Sequence, residues 1–129
     1  MAARNCLVAL SKIKAVGFEF GTLLASESVS QNPANPCEDS LAVLTALQKR
    51  GIKTGVLNVP QSSKNRTIMQ PEFSGLSPEQ CMFVGRFSDD IKSANEAGMF
   101  TVLLDRSETA ADFGQQFSIL YLDELLHYL

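Results

Sequence analysis

The sequence predicts a three-layer, Rossmann-like α/β fold, in which helices cover both faces of one parallel β-sheet. Short apolar runs of strand length alternate with amphipathic helical stretches, and this alternation is typical of parallel strands joined by right-handed crossovers. The chain has 129 residues, which suits a single domain covering 1–129, and its hydrophobic fraction of 45% is enough for a packed core. No internal repeat or low-complexity tract interrupts the pattern.

The first half of the chain is predicted to contain two strands and one helix. Residues 1–12 form an N-terminal extension, and a buried strand follows at 15–20. A helix is predicted over 38–50, because leucines recur at near-turn spacing, acidic residues stand in the first turn and basic residues in the last. Gly51 ends this helix, and 52–57 is the second strand.

The stretch 59–79 is predicted to be a shortened, irregular connection. It carries three prolines among Ser, Asn, Gln and Gly residues, a composition that disfavours a helix. At its end, Ser77 and Pro78 are suited to the cap and first position of a short helical turn.

The second half is predicted to hold, in order, a strand at 81–84, a helix, a strand at 100–104, a short helix at 108–113, a brief strand at 117–120 and a final helix at 121–129. Ser88 is the predicted cap of the first of these helices, which Gly98 ends. The final helix has leucines on one face, namely Leu122, Leu125, Leu126 and Leu129.

Composition excludes several kinds of function. The formal net charge is −3 and the sequence has no basic stripe, which argues against nucleic-acid binding. The three cysteines lack CxxC spacing and the single histidine, His127, is distant in sequence, so neither a disulfide framework nor a zinc site is predicted.

Apolar runs in the chain are too short to cross a membrane, so we expect a cytoplasmic protein without membrane contact. The alternative is import into an organelle, because the first acidic residue is Glu19 and several bases precede it. The entry into a strand at 15–20 makes this alternative the weaker one.

A parallel sheet places its reactive loops at the carboxyl ends of its strands, and two stretches end there with unusual residues. They are IKAVGFEFGTLL at 13–24 and CMFVGRFSDDIKSANEAGM at 81–99. Both resemble signature motifs of the haloacid dehalogenase-like (HAD) phosphohydrolase superfamily. Further phrases resemble the framework of its phosphoglycolate phosphatase-like subgroup, namely GIK at 51–53, SPEQ at 77–80, AGM at 97–99, ADF at 111–113 and LDEL at 122–125.

The resemblance implies a HAD-like core without a cap domain, because 21–39 and 59–79 are too short for the usual cap insertions. It also implies lost catalytic residues. The superfamily has an aspartate nucleophile, one further residue, an aspartate acid/base and then Gly-Thr. Here Glu19 stands at the nucleophile position, and Gly21 follows Phe20 directly, so the acid/base residue has no counterpart.

The motif after the third strand is altered as well. The superfamily typically has Gly-Asp and a later Asp, which help to hold Mg²⁺. Here Arg86 replaces the first of these carboxylates, Asp90 aligns with the second, and Asp89 with a neighbouring polar position. A guanidinium stays protonated and would repel a divalent cation.

The resemblance therefore implies a catalytically degenerate domain, a pseudophosphatase that acts as a binding or structural subunit and needs no cofactor. Its expected contact surfaces for a protein partner are the loop end of the sheet and the segment 121–129. The alternative is a weak phosphohydrolase with Glu19 as nucleophile. Mg²⁺ would then be held by Glu19, Asp89 and Asp90, and the phosphate by Gly21, Thr22, Asn58 and Lys64.

Glu19 and Arg86 end adjacent strands in the implied topology, so we expect them to form an ion pair across the gap that Mg²⁺ would fill. A partly buried pair of this kind adds little net stability, but loss of one partner would cost about 3 to 5 kcal/mol. The simpler interpretation makes Glu19 and Arg86 ordinary solvated charges and Asp89 and Asp90 helix-dipole residues.

Overall fold

Five parallel strands form the centre of the fold in the computed structural model, which describes residues 9–23, 38–56 and 75–129. Their order across the sheet is β2-β1-β3-β4-β5, and each neighbouring pair is parallel. The strands are β1 (Ala15–Phe18), β2 (Lys53–Val56), β3 (Cys81–Gly85), β4 (Phe100–Leu104) and β5 (Phe117–Ile119). The predicted α/β class with a parallel sheet is confirmed.

Helices cover both faces of this sheet. Helix α1 (Glu38–Lys49) packs Val43 and Leu47 against one face, where they meet alternate strand residues such as Phe18. Helix α2 (Ser88–Glu96) packs Ile91 against the other face. The alternation of side chains along each strand produces these two cores, so the three-layer prediction is also confirmed.

Short 3₁₀ helices complete the described elements at Phe20–Leu23, Pro78–Gln80 and Leu122–His127. The predicted turn after Ser77 is confirmed, and the Ser77 N–H donates to the Gln80 side chain at 3.0 Å. Leu10, which lies in the predicted N-terminal extension, is buried in the core beside α1.

The predicted helix at 108–113 is wrong. The segment is irregular, and Glu108 and Ala110 adopt left-handed φ values of 52° and 57°. The cause lies at the end of β4, where the Asp105 carboxylate accepts the backbone N–H groups of Thr109 and Ala110, both at 3.0 Å. A side-chain acceptor of this kind competes with helical hydrogen bonds.

Two further helix predictions need correction. Ser88 is the first residue of α2, whereas its N-cap position is occupied by Phe87, which makes no side-chain capping bond. The C-terminal segment is a 3₁₀ helix that buries Leu122 and Leu125, because residues three apart align in that geometry. Leu126 and Leu129 are only partly buried, and His127 is exposed.

Across the described ranges, no helix combines the length and the apolar character that a membrane crossing requires.

Candidate functional site

The strand order creates a crevice between the carboxyl ends of β1 and β3. From β1 the chain crosses to β2 on one side, and from β3 it continues to β4 on the other, so the connections diverge between these two strands. Ligands of open parallel sheets bind at such a switch point. Glu19 directly follows β1 and Arg86 directly follows β3, which brings together two residues that are 67 positions apart.

Glu19 and Arg86 form an ion pair with two contacts. Arg86 Nε donates to Glu19 Oε2 at 3.0 Å, and Arg86 Nη2 donates to Glu19 Oε1 at 3.4 Å. The Glu19 side chain is 15% exposed, whereas that of Arg86 is 39% exposed. The ion pair predicted from the sequence is confirmed, and one of its partners faces solvent over more than a third of its surface.

The backbone around Glu19 fixes the carboxylate in this position. The Gly21 N–H donates to Glu19 Oε1 at 2.9 Å, which gives that oxygen a second donor. The Glu19 carbonyl accepts the Thr22 N–H at 2.9 Å and the Thr22 hydroxyl at 2.7 Å, and the Glu19 N–H donates to the Val84 carbonyl at 2.9 Å. The turn after β1 is therefore organised around Glu19.

Gly21 is needed here for close packing. A Cβ at this position would overlap the Arg86 guanidinium and would lie 3.0 Å from Glu19 Oε1. Its φ is outside the left-handed region, so the backbone itself would accept other residues. Any side chain at position 21 would displace Arg86 from the pair.

Other groups line the same edge of the sheet. The Arg86 guanidinium lies over the Phe87 ring, 4.7 Å from its centroid, in a cation–π contact. Asp89 is exposed and Asp90 is buried in the first turn of α2, where acidic groups are favourable. Within 9–23, 38–56 and 75–129, no three His, Cys, Asp or Glu side chains form a group that could hold a metal ion.

The structure shows two further residues at this edge of the sheet, Arg106 and Asp105, that were not among the predicted site residues. Arg106 Nη2 donates to the Thr22 carbonyl at 3.3 Å and so joins the end of β4 to the turn after β1. The Thr109 N–H lowers the pKa of Asp105 most, with further contributions from the Thr109 hydroxyl and the Ala110 N–H. Asp105 and Arg106 are the first two residues after β4, and their position at the carboxyl end of a parallel strand could have indicated them from the sequence.

The remaining predicted site residues, Asn58 and Lys64, lie outside the described residues. The structure thus brings together Glu19, Gly21, Thr22 and Arg86 from the predicted set.

Comparisons with family models, with curated proteins and with solved structures find no match for this chain.

Proposed function

We propose that this chain is a HAD-like domain that has lost phosphohydrolase chemistry and acts as a binding or structural subunit of a protein assembly. The observation that carries the proposal is the Glu19–Arg86 pair at the switch point between β1 and β3. Both Glu19 oxygens accept hydrogen bonds from a guanidinium, at the place where the resembled enzymes keep a magnesium ion and a reactive carboxylate.

Magnesium chemistry fits these residues poorly. Mg²⁺ requires near-octahedral oxygen ligands, and a permanently charged guanidinium beside Glu19 opposes a second cation. The catalytic aspartates are absent in a second alignment of the motif as well. If Gly21 and Thr22 are taken as its fixed point, the two aspartate positions fall on Phe18 and Phe20, and neither residue can ionise.

The alternative function, a weak Mg²⁺-dependent phosphohydrolase with Glu19 as nucleophile, is separated from this proposal by a hydrolysis assay. The purified chain and its Glu19→Gln variant are incubated with p-nitrophenyl phosphate over a range of Mg²⁺ concentrations. We expect no Mg²⁺-dependent turnover from either protein, because Arg86 occupies the carboxylate and no acid/base residue follows it.

Glu19→Gln is the informative variant because it keeps the side-chain shape and removes only the charge. Turnover that requires Mg²⁺ and disappears in Glu19→Gln would refute the proposal and establish the alternative. Turnover that is equal in both proteins would come from a contaminating phosphatase. The binding role is tested separately by isolating the chain from its native source under mild conditions and measuring whether it elutes at the mass of a complex.

A further inference from the structure

The edge of the sheet opposite Glu19 gathers basic side chains from three parts of the chain. Two precede β1, one ends α1, one follows α1 directly, and one begins β2. We call this set the amino-edge patch, and it consists of Lys12, Lys14, Lys49, Arg50 and Lys53. The sheet register holds it together, since Lys53 pairs with Ala15 and its N–H donates to the Lys14 carbonyl at 3.0 Å.

The amino-edge patch carries uncompensated positive charge. All five residues are exposed. In the part of the chain that the structure describes, none of them forms an ion pair with a carboxylate. The patch holds five of the chain's 11 lysines and arginines, although the formal net charge is −3. Two exposed acids, Glu79 and Glu96, lie toward the same edge on the side of β3 and β4.

A groove whose exposed surface is more polar than apolar lies within the patch. Its volume is about 350 Å³, at the lower end of the range for ligand sites. Lys14 and Arg50 line it, and the Arg50 guanidinium is held there by a 2.9 Å hydrogen bond to the Leu126 carbonyl. The other lining residues come from the two ends of the described chain and from the turn before β2. Three of them, Leu10, Ile13 and Ile52, are buried core residues that expose little apolar surface to the groove.

We propose that this groove binds an acidic polypeptide segment of a partner protein. Asp or Glu side chains of the segment enter the groove beside Lys14 and Arg50 and lie against the other lysines of the amino-edge patch. Complementary charge across a contact selects the partner and speeds its association. The inference rests on the proposed function as a binding subunit and gives that function a surface and a class of partner.

The charge of the remaining chain argues for a partner in trans. Residues 1–8 contain one arginine and no acid, 24–37 contain a single acid, and 57–74 contain one acid and two bases. None of these segments supplies the negative charge that would complement the patch. Nucleic acid and anionic membrane fit less well, because the formal net charge of −3 repels an extended polyanionic surface, whereas a short acidic segment contacts the patch alone.

The proposal is tested by selecting a phage-displayed library of random peptides against the intact chain. We expect enrichment of sequences that contain several Asp or Glu residues within a short stretch. A fluorescein-labelled peptide from this selection is then titrated by anisotropy. The double variant Lys14→Glu with Lys53→Glu should bind it about tenfold more weakly, because two favourable charge contacts become repulsive.

The control is Lys92→Glu, which makes one such charge reversal, half the change of the double variant, at an exposed position of α2 on the other face of the sheet, and it should leave affinity unchanged. A peptide with Asn or Gln in place of its Asp or Glu residues should also lose affinity. The proposal is overturned if no acidic sequence is enriched, if both charge variants weaken binding equally, or if the neutral peptide binds as well. Displacement of the peptide by duplex DNA or anionic vesicles at lower concentration would overturn it too.

These outcomes are independent of the hydrolysis assay. The selection has no phosphatase readout, and the patch lies at the edge of the sheet opposite Glu19. A failed selection would refute the acidic partner and leave the loss of catalysis untouched. Mg²⁺-dependent turnover lost in Glu19→Gln would refute the loss of catalysis and leave the patch untouched.

Discussion

At the scale of single residues, Arg86 is held by its neighbour, the Phe87 ring, and by two features of the turn after β1, the Glu19 carboxylate and the bare backbone of Gly21. The pair itself was predictable, because parallel strands bring the residues at their carboxyl ends together. The close approach of Gly21 to the guanidinium was not predictable. It depends on side-chain packing, whereas the sequence indicates only that a glycine suits a turn.

Removal of Arg86 should lower the free energy of unfolding by less than the sequence alone suggests. The Arg86 side chain is 39% exposed, so solvent screens the pair and Glu19 can be rehydrated when its partner is lost. We expect Arg86→Ala to lower the free energy of unfolding by about 1 kcal/mol, as for exposed charge pairs with good geometry, instead of about 3 to 5 kcal/mol. Urea denaturation measures this change, which should shrink at high salt.

Gly21→Ala provides the control for that measurement. In the native background the new methyl group displaces Arg86, so the variant should lose a similar amount of stability. In the Arg86→Ala background there is no guanidinium to displace, and the same substitution should cost clearly less. Equal costs in both backgrounds would mean that Gly21 serves the turn itself and not the ion pair.

At the scale of elements, the strands were predictable to within about two residues, since burial in a parallel sheet leaves uninterrupted apolar runs. The conformation of the segment after β4 was not predictable, because a single side chain, that of Asp105, determines it. Residues 108–113 have ordinary helical composition, yet the Asp105 carboxylate binds the N–H groups of Thr109 and Ala110 and holds two residues at positive φ. The C-terminal segment shows the same limit, because leucine spacing does not distinguish α from 3₁₀ geometry.

The Asp105 turn should respond to acid. The Thr109 N–H lowers the pKa of Asp105 below the ordinary value of 3.8, so the folded state favours the carboxylate. The stabilisation is then complete above pH 3.8 and is lost as the pH falls through the lowered pKa of the folded state. NMR should show the Thr109 and Ala110 amide protons shifting together in this acid range.

Asp105→Asn removes the titrating group and is the control for that experiment. The variant should have no such amide transition and should be less stable at neutral pH, because a neutral amide is a weaker acceptor than a carboxylate. If the two amides in Asp105→Asn still shift at low pH as they do in the native chain, another group governs the turn.

At the scale of the whole molecule, the strand order gathers positive charge at one edge of the sheet. The edge with Glu19 mixes acidic groups with Arg86 and Arg106, whereas the opposite edge carries the five basic residues of the amino-edge patch. The sequence shows no basic stripe because these residues are dispersed between positions 12 and 53 in an acidic chain. Only the crossover from β1 through α1 to β2 brings them together, so neither composition nor motif spacing could have indicated the patch.

Concentrated positive charge should lower the stability of the native fold. Lys53 begins the edge strand β2 beside Lys14, with Lys49 and Arg50 just before it at the end of α1. We therefore expect Lys53→Glu to raise the free energy of unfolding by about 0.5 kcal/mol at low salt, as repulsion is replaced by attraction. The gain should vanish near 1 M salt, where the Debye length is about 3 Å.

Lys92→Glu is again the matched control, because both variants lower the formal net charge by two. Lys92 lies in α2 three residues after Asp89 and four before Glu96, so its reversal should destabilise the helix by about 0.3 to 0.5 kcal/mol. Urea denaturation at low and high salt distinguishes the two effects, and changes of the same sign would show that net charge alone is responsible. A Lys53→Glu variant that is more stable yet binds the acidic peptide more weakly would mean that the patch opposes folding and serves recognition.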